Sequence, residues 1–103
     1  MPLTVEEMSD RFEIQDLIVG YCYAVDSSDW DALDRFFMPD AVIDYSEMVG
    51  VSGGLQEIKR FLAESLTPIL AFQHAVSTTQ YTFNGDRAQT KTACYNPMTV
   101  SNG

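Results

Sequence analysis

Apolar residues recur at helical spacing through the first quarter of the chain. Thr4 is followed three residues later by Glu7, an arrangement typical of a capping box, and neighbouring acidic residues suit the positive end of a helix dipole. The stripe that follows is spaced for one face of a helix and comprises Ile14, Leu17, Ile18, Tyr21, Cys22 and Val25. The pattern predicts a long first helix that ends near Asp26 and packs one face on a core.

A short helix, a strand and a third helix are predicted next. Ser28 with Asp31 indicates the N-cap of the short helix, and residues 41–45, AVIDY, alternate in the manner of a strand. Residues 50–54, GVSGG, are expected to form a flexible loop before a third helix that stops at Pro68. The apolar face of that helix comprises Leu55, Ile58, Phe61, Leu62 and Leu66.

The hydrophobic period changes from helical to alternating at Ile69. Two alternating runs, ILAFQHAVSTTQYTF and RAQTKTACYN, flank the residues Asn84, Gly85 and Asp86, and Asn-Gly between such runs is a strong hairpin signal. Helices followed by a sheet predict an α+β fold. Because the chain has 103 residues and lacks a linker or a repeat, residues 1–103 are expected to form a single domain.

The register of the hairpin has two alternatives. A two-residue turn at Asn84 and Gly85 places on the face of His74 the side chains of Tyr95, Ala93 and Lys91. A three-residue loop with Gly85 in a left-handed bulge shifts the register by one and places there the side chains of Cys94, Thr92 and Thr90. We favour the second register, because it keeps the Lys91 charge out of an apolar interior.

The charge balance argues against two classes of partner. Fifteen acidic and six basic residues give a formal charge of -9 and a pI near 4.2, which repels phosphate backbones and anionic lipids. The apolar runs are shorter than the roughly 20 residues of a bilayer span, and the N-terminus lacks the basic and apolar regions of a secretion signal. We expect a soluble, cytoplasmic protein that binds neither nucleic acid nor membranes.

Cys22 and Cys94 are the only cysteines, and both fall in patterns typical of buried residues. Two cysteines this far apart do not form a disulfide framework, and the chain has no CxxC motif or Cys/His cluster that would indicate zinc. We therefore expect two buried, free thiols with a structural role and no metal site.

His74 and Asp26 are the candidate acid–base residues. His74 is the only histidine and is predicted in the middle of a strand among apolar neighbours, where histidines are more often structural than catalytic. Asp26 lies at the C-terminal end of the first helix, where the dipole disfavours a carboxylate by a few tenths to about 1 kcal/mol. Either Asp26 caps the next helix together with Ser27 and Ser28, or it accepts a hydrogen bond from His74 and orients it as a general base.

The order of elements and two phrases resemble the SnoaL-like branch of the NTF2-like superfamily. The phrases are EIQDLIVGYCYAVDSSDWDALDRFFMPDAVIDY, residues 13–45, and FQHAVS, residues 72–77. The resemblance implies a cone in which three helices pack against a strongly curved sheet, with a pocket between them. Members include ketosteroid isomerase, scytalone dehydratase, limonene epoxide hydrolase and polyketide cyclases, so the fold implies a pocket rather than one reaction.

The motifs are most similar to those of scytalone dehydratase. Its DSKDWD phrase resembles DSSDWD here and places its catalytic Asp on Asp26, its QH histidine falls on His74, and the tyrosine of its IDY phrase falls on Tyr45. Where the dehydratase has a second histidine, this chain has Thr92 or Ala93. The oxyanion tyrosine of ketosteroid isomerase falls on Tyr21, whereas the position of its general base is occupied by Tyr45.

The resemblance implies a lyase or isomerase that needs no cofactor and acts on a hydrophobic cyclic or polyketide-like substrate. The implied catalytic residues are Asp26, His74 and Tyr45, and the expected substrate-binding residues are Tyr21, Trp30, Phe72 and Thr92. The alternative is a non-catalytic pocket protein that binds an apolar ligand or mediates association. Related chains continue for further strands, so we expect that the last strands are truncated here and that two copies pair through the sheet as a homodimer.

Overall fold

The computed structural model describes residues 2–101 and has the predicted α+β architecture, with helices packed on antiparallel strands. In chain order its elements are α1 (Val5–Asp26), a 3₁₀ helix (Trp30–Arg35), β1 (Val42–Tyr45), α2 (Ser46–Val49), β2 (Val51–Gly54), α3 (Leu55–Leu66), β3 (Ala71–Phe72), β4 (Ala75–Asn84), β5 (Arg87–Tyr95) and β6 (Met98–Thr99). None of the helices in residues 2–101 is both long and apolar enough to cross a membrane.

Helix α1 begins at the predicted capping box. The Glu7 amide donates to the Thr4 hydroxyl at 3.0 Å, and the Thr4 amide donates to the Glu7 carboxylate at 3.4 Å. Gly20 lies against the ring of Phe36, which leaves no room for a Cβ atom. The glycine therefore weakens the helix slightly but allows the segment after α1 to pack closely on it.

The segment after α1 is a 3₁₀ helix whose cap lies one residue later than predicted. Asp29 is the N-cap, since its carboxylate accepts from the Ala32 amide at 3.3 Å. Ser28 has a φ of 57°, so it forms the left-handed turn that reverses the chain. The prediction of a cap at Ser28 is therefore wrong, because the sharp turn after α1 uses that residue.

The glycine-rich segment predicted as a flexible loop contains strand β2. It pairs antiparallel with β1, so that Tyr45 lies opposite Val51 and Val42 lies opposite Gly54. Gly50 precedes it in the left-handed conformation that ends α2, with a φ of 74°. The loop prediction is wrong because pairing with β1 satisfies the backbone groups of this segment, which local sequence does not reveal.

Strands β4 and β5 form the predicted hairpin, but its turn differs from both alternatives. The turn residues are Gly85, with a φ of 64°, and Asp86. An irregularity between Ser77 and Gln80 then shifts the register by one, so that Val76 lies opposite Cys94. The favoured register is thus confirmed close to His74, although the bulge lies within β4 rather than at the turn.

His74 lies in a break between strands rather than in the middle of one. Gln73 and His74 separate β3 from β4, and Asn96 and Pro97 separate β5 from β6. Phe72 opposite Met98 and Ala75 opposite Tyr95 belong to one register, which places His74 opposite Asn96. The mid-strand prediction is wrong because Pro97 has no amide hydrogen to donate, and the His74 amide donates to a side chain instead.

The buried core lies where the C-terminal half of α1, the 3₁₀ helix and α3 meet. It comprises Ala24, Val25, Ala32, Leu33, Leu55, Ile58 and Leu62. Partly buried aromatic residues, including Tyr21, Phe61 and Phe72, pack against it. The predicted stripe on α1 is correct at this end, whereas Leu17, one turn before Tyr21, is 46% exposed.

The two cysteines are free, and only Cys22 is buried, so the prediction of burial is wrong for Cys94. Burial raises the pKa of the Cys22 thiol, and its thiolate fraction falls accordingly.

We expect iodoacetamide at about pH 8 to alkylate Cys94 rapidly and Cys22 only after unfolding, as measured by intact-protein mass spectrometry. The Cys94→Ser variant should show no rapid addition; two rapid additions to the native protein would contradict the burial of Cys22.

Candidate active site

The carboxylate of Asp26, the last residue of α1, binds both the ring and the backbone amide of His74. Asp26 Oδ1 lies 2.7 Å from His74 Nδ1, and the His74 amide donates to Oδ1 at 3.0 Å and to Oδ2 at 2.8 Å. The two side chains are only 19% and 12% exposed. The carboxylate that the helix dipole disfavours is therefore stabilised by two donors of one residue.

The alternative role of Asp26 as a cap of the next helix is not observed. Asp29 caps the 3₁₀ helix, and the Ser27 hydroxyl donates to the Tyr23 carbonyl at 2.8 Å. The Asp26 carboxylate instead contacts the ring of His74, which is forty-eight residues later in the chain. The hypothesis that Asp26 pairs with His74 is thus the one that the geometry supports.

The Asp26 contact determines the tautomer of His74. An ionised carboxylate only accepts hydrogen bonds, so the hydrogen in this pair lies on Nδ1. In the neutral ring, Nε2 then carries the lone pair and is free to take up a proton. Because one carboxylate binds both the backbone amide and the ring of His74, it restricts the backbone position of the residue as well as the orientation of the imidazole.

Two tyrosine hydroxyls meet beside this pair. Tyr21 Oη and Tyr45 Oη lie 2.5 Å apart, and the rings of Tyr21 and His74 pack edge to face with centroids 6.3 Å apart. Burial raises the pKa of Tyr21, and the neighbouring Tyr45 raises it further; burial also raises the pKa of Tyr45. Both phenols are therefore neutral near pH 7. Each has one hydrogen, so one phenol donates within the pair and the other keeps its hydrogen for a third group.

His74 and both tyrosines line one cavity of about 230 Å³. Its walls are mainly apolar and include Val25 of α1, Met48 and Val49 of α2, Phe61, Leu62 and Leu66 of α3, Ile69, and Met98 of β6. Asn96 adds a further polar group. The arrangement is an apolar pocket with a few convergent polar groups, which is typical of a small-molecule site.

Comparison with known proteins assigns the fold to a family. Residues 6–103 match the family model described as SnoaL-like domain, which covers nearly the whole chain. This chain belongs to the SnoaL-like family of the NTF2-like superfamily. The resemblance predicted from the two sequence phrases is therefore confirmed.

The SnoaL-like domain is similar to mycobacterial proteins and to one solved structure. It is 41% identical over 96 residues to uncharacterized proteins Rv2910c of Mycobacterium tuberculosis and Mb2934c of Mycobacterium bovis, a match that covers 93% of this chain and 65% of each relative. The chain thus spans just under two thirds of the length of these relatives. The crystal structure of Kfla4162 protein from Kribbella flavida matches with a TM-score of 0.82 at 22% identity, over 91% of this chain and 66% of that one.

Three other predicted site residues of the SnoaL-like domain lie outside the cavity lining. Trp30 and Phe72 line a separate pocket that includes Asp26 but not His74. The Thr92 hydroxyl lies 3.1 Å from that of Thr79, further along the hairpin. The structure therefore brings together Asp26, His74, Tyr21 and Tyr45, and the predicted contacts of the other three with a substrate remain predictions.

Sequence reasoning missed Asn96 and the contribution of α3 to the cavity. The apolar face of α3 was predicted correctly, and Phe61, Leu62 and Leu66 on that face form a cavity wall as well as packing in or against the core. The sequence feature that could have indicated Asn96 is the proline that follows it, because Pro97 interrupts the strand at this position. Within residues 2–101, His, Cys, Asp and Glu side chains do not form a group of three or more that could hold a metal.

The buried tyrosine makes the stability of the SnoaL-like domain sensitive to alkaline pH. The pKa of Tyr21 is raised above its ordinary value of 10.0, so this phenol stays protonated in the folded state while it ionises in the unfolded chain. Its contribution is complete below about pH 10 and is lost above it, by up to about 1.4 kcal/mol per pH unit. We expect urea midpoints between pH 9 and about pH 11 to fall less steeply in Tyr21→Phe than in the wild type. Tyr23→Phe, at an exposed position, should leave the slope unchanged; equal slopes in all three proteins would contradict the prediction.

Proposed function

We propose that this domain is an acid–base enzyme of the lyase or isomerase type that acts on a small, hydrophobic, cyclic or polyketide-like carbonyl compound. The observation that carries the proposal is the 2.7 Å contact between Asp26 and His74, together with the position of His74 beside two neutral phenols in one cavity. An oriented imidazole beside neutral donors matches the needs of proton transfer next to a carbonyl group.

Each group has a role in such a reaction. His74 Nε2 takes a proton from the carbon next to the carbonyl, and the Asp26 carboxylate stabilises the imidazolium that results. The phenol that keeps its hydrogen, on Tyr21 or Tyr45, donates to the carbonyl oxygen as negative charge develops there. Return of this proton from Nε2 to another carbon of a conjugated enolate gives isomerisation, whereas its transfer to a β-hydroxyl, which then leaves as water, gives dehydration.

The cavity limits the size of the substrate. Its volume of about 230 Å³ is below the range of about 300 to 1,000 Å³ typical of sites for drug-sized ligands. The walls are largely apolar, so burial of a hydrocarbon ring provides much of the binding free energy. A compound of one or two rings fits both constraints.

A second candidate function is ligand binding without catalysis. Thr92 stands near the position at which scytalone dehydratase has its second histidine, and its hydroxyl contacts Thr79, which in turn donates to Gln15 at 3.3 Å. The chain therefore has one imidazole, on His74, for chemistry that uses two in the dehydratase. This observation favours a pocket that holds a ligand through the same tyrosines.

Proton exchange in a simple ketone separates the two functions. We expect the wild-type domain to catalyse exchange of the hydrogens next to the carbonyl of 1-tetralone in D₂O, followed by proton NMR, because the proton that Nε2 takes from the ketone exchanges with the solvent and a deuteron is returned to the carbon. The His74→Ala variant should bind the ketone but not accelerate exchange. Wild-type exchange no faster than that of the variant, with binding retained, would contradict the catalytic function and support the second candidate.

Pairing of two copies through the sheet is a separate proposal that follows from the family resemblance. Tyr95 on β5 is 72% exposed, so its aromatic ring is accessible to a second copy at the sheet. Sedimentation velocity at micromolar protein concentration tests this proposal, and a purely monomeric boundary would contradict it.

A further inference from the structure

We infer that the ligand of the cavity carries a neutral aliphatic chain, which leaves the pocket across the side chains of Met48 and Met98. Both residues line the cavity that contains His74, although Met48 is 79% exposed and Met98 is 46% exposed. Val49, which follows Met48 in α2, is also exposed and also lines the cavity. Residues that line a cavity and remain open to solvent lie at its mouth, so we call Met48, Val49 and Met98 the apolar rim.

The opposite end of the cavity is closed by the core. Val25 and Leu62 line the cavity as well, and both are buried members of the core. Core side chains are closely packed, so a substituent directed toward them would have to displace them. With a volume of about 230 Å³, the cavity has room for a compound of one or two rings. A larger ligand therefore extends toward solvent, past the apolar rim.

The chemistry of the mouth favours an uncharged chain. In the part of the chain that the structure describes, the cavity lining contains no Lys, Arg, Asp or Glu, and its exposed polar residue is Ser65 of α3. A charged substituent would lose water there without gaining a counter-charge. The formal net charge of -9 further disfavours an anionic chain. Methionine side chains are flexible and polarizable, so Met48 and Met98 can adapt to the shape of an aliphatic chain.

The apolar rim differs from exposed apolar residues elsewhere on the domain. Met38 is also largely exposed but does not line this cavity. Single residues of that kind are normal on protein surfaces. At the apolar rim, exposed apolar surface continues the wall of an apolar cavity, so that one ligand can cover both. Each methylene group that such a ligand buries raises its affinity by up to about fourfold.

The ligand class is therefore a cyclic ketone of one or two rings that carries an aliphatic chain. Its ring lies beside His74 and the two phenols, and its chain covers the apolar rim. This inference rests on the proposed function for the cavity and for the ring that the cavity holds. It concerns affinity, however, and requires no proton transfer.

Matched pairs of ketones test the inference by isothermal titration. Each pair consists of a 1-tetralone with a butyl group at position 5, 6 or 7 and the 1-tetralone with a methyl group at the same position. We expect at least one butyl compound to bind the wild type about eightfold more tightly than its methyl counterpart, because each of the three further methylene groups gains about twofold when half buried. The ratio of the two affinities within one protein is the readout, so a general weakening of binding cancels.

Three variants show whether the apolar rim is responsible. In Met48→Ser and in Met98→Ser the ratio should fall to about threefold or less, and in the double variant it should approach one. Met38→Ser shortens an exposed methionine outside the cavity and is the matched control, so it should keep the wild-type ratio. Because Met48 is largely exposed, Met48→Ser should also keep the Tm of the wild type, and its ratio is then free of unfolding effects.

The outcomes separate this inference from the proposed function. Equal affinity of both members of every pair for the wild type, or a double variant that keeps the wild-type ratio, would overturn the inference. A sedimentation boundary that Met48→Ser shifts toward the monomer, with a ratio of one in the wild type, would assign the apolar rim to a second copy and also overturn it. The same titrations in His74→Ala should show the wild-type ratio. Failure of catalysis therefore leaves the inference standing, and a ratio of one leaves catalysis standing.

Discussion

The His74→Ala variant is expected to exchange the hydrogens of bound 1-tetralone about 10² to 10⁴ times more slowly than the wild type. This is the usual contribution of a positioned general base, and His74 is the only histidine in the chain. Asp26 cannot take over the proton transfer, because its carboxylate lies on the Nδ1 side of the ring. The measurement is the exchange rate by proton NMR at saturating ketone, with affinity determined separately by titration.

The His74→Asn variant provides a control for positioning. The asparagine Nδ2 is at the same distance along the side chain as Nδ1, so it can donate to Asp26 in place of Nδ1–H, but an amide does not take up a proton near neutral pH. We expect this variant to retain the stability of the wild type better than His74→Ala does and to be equally slow in exchange. If His74→Asn exchanged the ketone hydrogens at the wild-type rate, the imidazole would be a structural group and the proposed mechanism would be wrong.

The Asp26→Ala variant is expected to lose about 2 kcal/mol of unfolding free energy. The substitution removes the acceptor of the His74 amide and of Nδ1–H, and it leaves a part-buried backbone donor without a partner. Relief of the unfavourable helix dipole offsets only a few tenths to about 1 kcal/mol of this loss. Urea unfolding followed by circular dichroism measures the change.

Two further variants serve as controls for the stability of Asp26→Ala. Asp16→Ala removes an exposed carboxylate from the same helix and should change stability by less than about 0.5 kcal/mol. Asp26→Asn keeps an oxygen for the His74 amide but loses the charge, so it should lie between the wild type and Asp26→Ala. An Asp26→Ala value within error of Asp16→Ala would show that the contact with His74 does not stabilise the fold.

The two predictions concern different functions of one contact. In His74→Ala the backbone amide of residue 74 remains and continues to donate to Asp26, so stability should fall less than in Asp26→Ala. Proton transfer, in contrast, should fall most when the ring is removed. Opposite rankings of the two variants in stability and in activity would be direct evidence that the carboxylate both anchors the strand break and orients the base.

Elements with a local signal were predictable. The Thr4 and Glu7 capping box began α1 as expected, the face of α3 that starts at Leu55 was recognised, and the strand within residues 41–45 was confirmed. In each case the deciding interactions join residues within a few positions of one another. Side-chain periodicity and capping record such interactions directly.

Elements that depend on distant partners were not predictable. Strand β2 exists because β1 offers it backbone partners, and β6 exists because β3 does. The break at His74 requires Pro97, twenty-three residues later, together with the carboxylate of Asp26. The local sequence pattern does not reveal these pairings. The alternating pattern was therefore interpreted as one continuous strand through His74, where the structure has a break.

By itself the sequence determined an α+β domain of the SnoaL-like family, an acidic chain, and a carboxylate at a helix end that requires a compensating partner. Local hydrogen bonding, periodicity and charge carry that information. Only the tertiary structure decided that the partner is His74, that Tyr21 and Tyr45 share one hydrogen bond beside it, and that these three side chains line one cavity. Those features depend on which side chains meet when distant segments pack, and that is a property of the whole fold rather than of any segment.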